Sequence, residues 1–98
     1  MIRYTTPKIE IEVESSIPLS EYAERHVTFS QLGNVIDVVP EVDGNVLTVE
    51  LTQLESAVFD YAYVLSVQVN VVTADGKRYA SEIMPMNVSE NLLKKVLP

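Results

Sequence analysis

The chain has 98 residues, 47% of them hydrophobic, and no cysteine, which describes one domain with one core and leaves no disulfide framework and no thiolate-bound metal. Fourteen Asp and Glu against seven Lys and Arg give a formal charge of -7, which repels phosphate backbones and anionic lipid and so argues against nucleic acid and membrane as partners. With only three glycines there is no GxxxxGK or GxGxxG loop, and no nucleotide cofactor is expected.

The opening Met1–Pro7 has neither an apolar h-region nor a small-residue cleavage site, so a soluble protein made in the cytoplasm without a signal peptide is expected. No apolar run approaches the ~20 residues a membrane helix needs. Lys8–Glu14 then alternates strictly, placing Ile9, Ile11 and Val13 on one face and Glu10, Glu12 and Glu14 on the other, the pattern of a half-buried strand. Ile17–Tyr22 breaks the alternation and reads as a crossover loop with one helical turn. Arg25–Gln31 alternates again, with Val27 and Phe29 inward and His26, Thr28 and Ser30 outward.

Two hairpins follow. Asp43-Gly44 suits a two-residue type I′ turn, which sets Val38 opposite Val49, Ile36 opposite Leu51 and Pro40 opposite Leu47 on the apolar face. The same register faces Asp37 with Glu50, a like-charge pair costing roughly 0.5 kcal/mol. Around Ala74-Asp75-Gly76 a three-residue loop with Gly76 in the left-handed position fits better, aligning Val71, Val69 and Val67 with Tyr79, Ser81 and Ile83 and pairing Gln68 with Glu82 outside. Between the hairpins, Thr52-Gln53-Leu54-Glu55 has capping-box spacing and predicts a helical crossover, with Leu54 and Val58 sealing the core. Tyr61 and Tyr63 are both candidates for the corner tyrosine of immunoglobulin-like sandwiches, whose hydroxyl bonds back to the chain.

The end, residues 90–98, groups Leu92, Leu93, Val96 and Leu97 on one side if it is helical, with Ser89 as cap and Lys94 and Lys95 at the negative end of the dipole. These four residues are the candidate interaction site, carried by a tail on a core of residues 1–89. The whole reads as all-β, with a turn signal every eight to twelve residues: the pattern of a β-sandwich or small barrel. The expected form is a single antiparallel, immunoglobulin-like sandwich of about seven strands with a short helical crossover and a short C-terminal helix.

Catalytic chemistry is missing. His26 is the one histidine and belongs on a strand's polar face, and no serine or threonine stands in a nucleophile-elbow context. Glu10, Glu12 and Glu14 lie about 6.5 to 7 Å apart along one strand, too far for neighbours to share a small cation without other ligands. They read as a charged face that discourages edge-to-edge pairing. Asp43-Gly44 and Asp75-Gly76 lack the oxygen spacing of a calcium loop and read as turns. No catalytic, cofactor or metal residue is expected, and the chain is read as a non-enzyme.

Taken together, Met1–Pro7, Val27–Gln31, Leu51-Thr52-Gln53, Val67–Asn70, Asp75–Arg78 and Asn91-Leu92-Leu93 resemble the small, uncharacterised β-rich proteins encoded by phages and prophages of gut bacteria among their virion structural genes. The likeness spans nearly the whole chain in short pieces. It departs at Leu54, where an acidic residue is expected, and at Val71, where an aromatic is common. The resemblance implies a virion component of tail or baseplate type and carries no site residues with it. The expected function is a structural or adaptor domain that contacts other proteins or copies of itself. The alternative is a carbohydrate-type binding module using Tyr22, Tyr61 and Tyr79 with nearby carboxylates.

Overall fold

The period-two stretches form strands. A computed structural model of all 98 residues contains β1 (Lys8–Glu12), β2 (Glu24–Gln31), β3 (Asn34–Val38), β4 (Glu41–Asp43), β5 (Val46–Glu50), β6 (Leu65–Val72), β7 (Arg78–Ala80) and β8 (Met84–Met86), with a helical turn α1 (Gln53–Ala57) and a 3-10 turn at Leu19–Glu21. One antiparallel sheet has the order β1-β5-β4. The other has β3-β2-β6-β7, with β8 also paired to β6. They pack as an all-β sandwich, and the order corresponds to B-E-D against C′-C-F-G in an immunoglobulin-type arrangement, with β7 and β8 as two parts of one edge strand.

The core lies between β2 and β6 on one side and β5 on the other. Val27 faces Val69 and Phe29 faces Val67 across the β2–β6 pair, and all four are buried with Leu47, Val49, Leu51, Phe59 and Leu65. Burying each such side chain contributes about 1.5–3 kcal/mol, so this layer carries most of the favourable free energy. Arg25, in phase with the inward residues but at the strand's end, turns its guanidinium onto the carbonyls of Leu19 (3.2 Å) and Tyr22 (2.8 Å) and fixes the 3-10 turn.

The loop at Ala74-Asp75-Gly76 forms as its sequence dictates. Gly76 sits at φ 88°, Val71 faces Tyr79, and Thr73 N–H donates to Lys77 O at 2.8 Å. Beyond Ser81 the expected register slips by one, because Val67 faces Met84 and not Ile83. The extra residue is a bulge: Ser81 Oγ takes the Val69 N–H at 3.0 Å, and Ile83 is turned out, 64% exposed. Gln68 bonds the Ser81 carbonyl at 3.0 Å in place of the expected Glu82 pairing.

The Asp43-Gly44 hairpin is corrected in two ways. Asp43 faces Val46 and Val42 faces Leu47, so the turn residues are Gly44 and Asn45, and only Gly44 has positive φ, at 60°. That is the type II′ pattern and not type I′. Moreover, Ile36 and Val38 do not pair with β5. They pair with Phe29 and Val27 of β2, through a turn at Leu32-Gly33 whose two residues both have positive φ, 48° and 84°. Asp37 therefore faces Thr28, and the expected clash with Glu50 never arises. The chain then crosses between sheets at Val39-Pro40, where a buried proline with no N–H to give ends one strand pairing before the next begins.

Around α1 the capping box is complete: Glu55 N–H donates to Thr52 Oγ1 at 3.2 Å, and Thr52 N–H donates to Glu55 Oε1 at 2.9 Å. Leu54 and Val58 do not seal the core, being 67% and 46% exposed. Ser56 and Phe59 point inward instead, both at 0%, and the Ser56 hydroxyl is satisfied by the Thr5 carbonyl at 2.7 Å. The corner role expected of Tyr61 or Tyr63 falls to Gln31, since both tyrosines are exposed. Its buried amide donates to the carbonyls of Asp60 (2.8 Å) and Tyr63 (2.9 Å) and accepts the Asp60 N–H at 2.6 Å. Residues 90–98 form no helix; the segment is too short to hold one without a surface to fold on.

Candidate interaction surface

Irregular as it is, the tail has fixed anchors. Asn91 Nδ2 donates to Arg3 O at 3.1 Å, and Gln53 pairs with Leu97 like a strand residue, donating to its carbonyl at 2.9 Å and accepting its N–H at 2.7 Å. Arg3 holds the start: Nη1 donates to both Glu90 oxygens at 2.9 Å and Nη2 to the Ala57 carbonyl at 2.7 Å. At Glu90, partial burial works to raise the carboxyl, but the Asn91 N–H, the Arg3 guanidinium and Lys94 outweigh it and hold the group below the ordinary 4.5. Neither Arg3 nor Gln53 was singled out from sequence, because a contact across most of the chain's length leaves no local pattern.

The four candidate residues do not share a stripe. Leu92 is fully exposed, at 101%, and Leu93, Val96 and Leu97 are each nearly half exposed. Val96 comes beside Leu54 over a shallow depression that also reaches Leu51. The tail thus comes against α1 through Val96 beside Leu54 and Leu97 bonded to Gln53, with exposed apolar side chains on both segments. An apolar cluster on this scale, on so small a domain, is the kind of surface that partners cover.

Elsewhere the groups singled out from sequence are dispersed. His26 stands on the outer face of the β3-β2-β6-β7 sheet with Nδ1 2.9 Å from Asp37 Oδ2 and Nε2 3.4 Å from Glu24 Oε1. Thr28 Oγ1 donates to the other Asp37 oxygen at 3.3 Å and not to the imidazole, so the three do not form a relay that would activate the hydroxyl. Tyr22 and Tyr79 line one groove between the sheets, with the Tyr22 hydroxyl 2.6 Å from Ser15 Oγ. Tyr61 lies beyond the far end of β2, about 23 Å away at 3.3 Å per residue. No helix is long and apolar enough to cross a membrane.

No protein family, curated protein or solved structure matches the chain.

Proposed function

We propose that the chain is a non-enzymatic structural or adaptor domain that works by protein–protein contact, including contact between its own copies. By its resemblance to phage and prophage virion proteins, we place it in a tail or baseplate, made in the cytoplasm and carried into the particle. The observation that carries this reading is the tail: Leu92, Leu93, Val96 and Leu97 are 45% to 101% exposed on a domain whose core is complete without them. Sedimentation velocity tests it. The full chain is expected to associate with rising concentration, and the variant Leu93→Asp/Leu97→Asp to remain folded and monomeric.

A second reading, a carbohydrate-type binding module, draws on the meeting of Tyr22 and Tyr79 at one groove. A glycan array is its test, and hits lost on Tyr79→Ala would favour it.

A further inference from the structure

The sandwich has two lateral seams. Val39-Pro40 runs across one of them, between β3 and β4. The other, between β1 and the β7–β8 edge, is flanked by the β1–β2 connection at one end and by the Ile2–Ser89 bridge at the other, and between them two grooves of about 320 and 310 Å³ follow one another along it. Their floor includes Val67, Val69 and Val71, the inward residues of β6.

Both rims carry unused backbone groups. Leu51 N–H donates to Pro7 O at 3.1 Å and Val13 N–H to Asn45 O at 2.8 Å, so the odd-numbered residues along β1 make the hydrogen-bonded pairs with β5. Antiparallel alternation then leaves the peptide groups of Lys8, Glu10 and Glu12 directed away from β5, at an edge no strand covers. Likewise Thr73 N–H to Lys77 O and Ser81 N–H to Val69 O, both 2.8 Å, leave Arg78 and Ala80 facing outward. Unpaired edge groups over an apolar floor fit an added strand better than a sugar ring.

The charges indicate which strand. Glu10, Glu12 and Glu14 are exposed along this rim, and none has a cationic partner within the chain. The tail carries Lys94 and Lys95 among its leucines, and Lys95 has no anionic partner. Extended, residues 92–98 span about 23 Å, the length of Lys8–Glu14. Either face of that strand presents two apolar residues with a lysine between them. One face can cover the groove with its lysine's aliphatic stem along the rim and the ammonium reaching water, while the other face's lysine lies beside the glutamates.

We infer that the tail of one copy adds as a strand to the β1 edge of a second copy and closes its open seam. This rests on the self-association reading above and names its acceptor. Because donor and acceptor are different surfaces, the contact is head-to-tail and propagates from copy to copy, as a repeating structural component requires. To donate its tail, a copy gives up the exposed Gln53–Leu97 pairing, while the Arg3–Glu90 clamp keeps the root of the tail in place.

One donor variant and two acceptor variants, all full-length, test it by sedimentation velocity. Leu93→Asp/Leu97→Asp disables the donor. Glu10→Pro disables the acceptor at a position whose N–H is directed away from β5, and Glu10→Lys/Glu12→Lys disables it by charge without touching the backbone. Each variant alone is expected to be monomeric with an unchanged circular dichroism spectrum, and an equimolar mixture to form a complex of twice the mass that grows no further. A mixture that stays monomeric while the unaltered chain associates would overturn the seam as acceptor and leave the self-association reading standing, as would an acceptor variant that still assembles alone. An unaltered chain that is monomeric at every concentration overturns both.

Discussion

The two seams of the sandwich are built differently. Between β3 and β4 the chain itself passes from sheet to sheet, and the buried Pro40 ends one strand pairing at the point where the next must start. Between β1 and the β7–β8 edge no strand pairing joins the sheets along the middle, and that side is managed by other devices: outward glutamates on β1, the bulge after Ser81, Pro85 in β8 and a parallel bridge from Ile2 to Ser89 at one end. Closing one seam covalently fixes the relation of the two sheets. Leaving the other without a covering strand keeps unpaired peptide groups of β1 and β7 at the surface, beside the apolar edge of the core. A small domain can in this way hold a stable core and still offer a surface that a strand would complete.

If the closed layer carries the stability, its disruption should have the largest effect. Val69, 3% exposed, faces Val27, and Val69→Asp should remove about 4 kcal/mol or more and unfold the domain, whereas Gln68→Lys on the outer face should be tolerated. Urea denaturation checks both: a reversed order would mean that the two faces are exchanged, and equal midpoints would contradict a core position for Val69. Next in size is Gln31→Leu, which keeps the volume but strips three hydrogen bonds from the Asp60–Tyr63 corner. Leaving those peptide groups unpaired should cost about 2–3 kcal/mol.

The hairpin turns should respond with opposite signs. Gly76→Ala should destabilise by about 1 kcal/mol, because it places a Cβ at φ 88°. Leu32→Gly should stabilise by about 0.5 kcal/mol or more, because the strain of a leucine at φ 48° is relieved by more than the added chain entropy costs. Thermal midpoints read both. A fall for Leu32→Gly would mean that its side chain packs in a way its 68% exposure does not suggest.

That pair also explains what could be read from the sequence. Asp75-Gly76 is legible because glycine at the left-handed position is the residue such a loop demands. Leu32-Gly33 hides because leucine is a poor occupant of positive φ, so the sequence alone reads β3 and β4 as one strand paired with β5, where the structure pairs β3 with β2. Pro40 was the available signal for separating them, since a proline cannot serve inside a paired strand. Gln31 was legible too, falling in phase with Val27 and Phe29, but a polar residue at an inward position suggests the end of a strand before it suggests a buried hydrogen-bonding role. The apolar content of the candidate tail was visible in composition alone. Its shape was not, because the Arg3, Gln53 and Asn91 contacts that set it join residues far apart in the chain.

The smallest effect concerns the root of the tail. The Glu90 carboxyl is held below 4.5, so its ionised form is favoured by folding. Whatever stability it contributes is present above the unfolded value and is lost as pH falls through the lowered folded value. An NMR titration should place the Glu90 midpoint below 4.5, and Arg3→Met should return it toward that ordinary value.

The proposal that this domain acts through its exposed apolar tail can be tested in solution. Sedimentation velocity of the full chain over a wide concentration range tests it most directly, run beside Leu93→Asp/Leu97→Asp with circular dichroism to confirm that both are folded. Concentration-dependent assembly of the unaltered chain is expected, and a single 10.9 kDa species for the variant, with the same thermal midpoint. Identical profiles for the two proteins would contradict it.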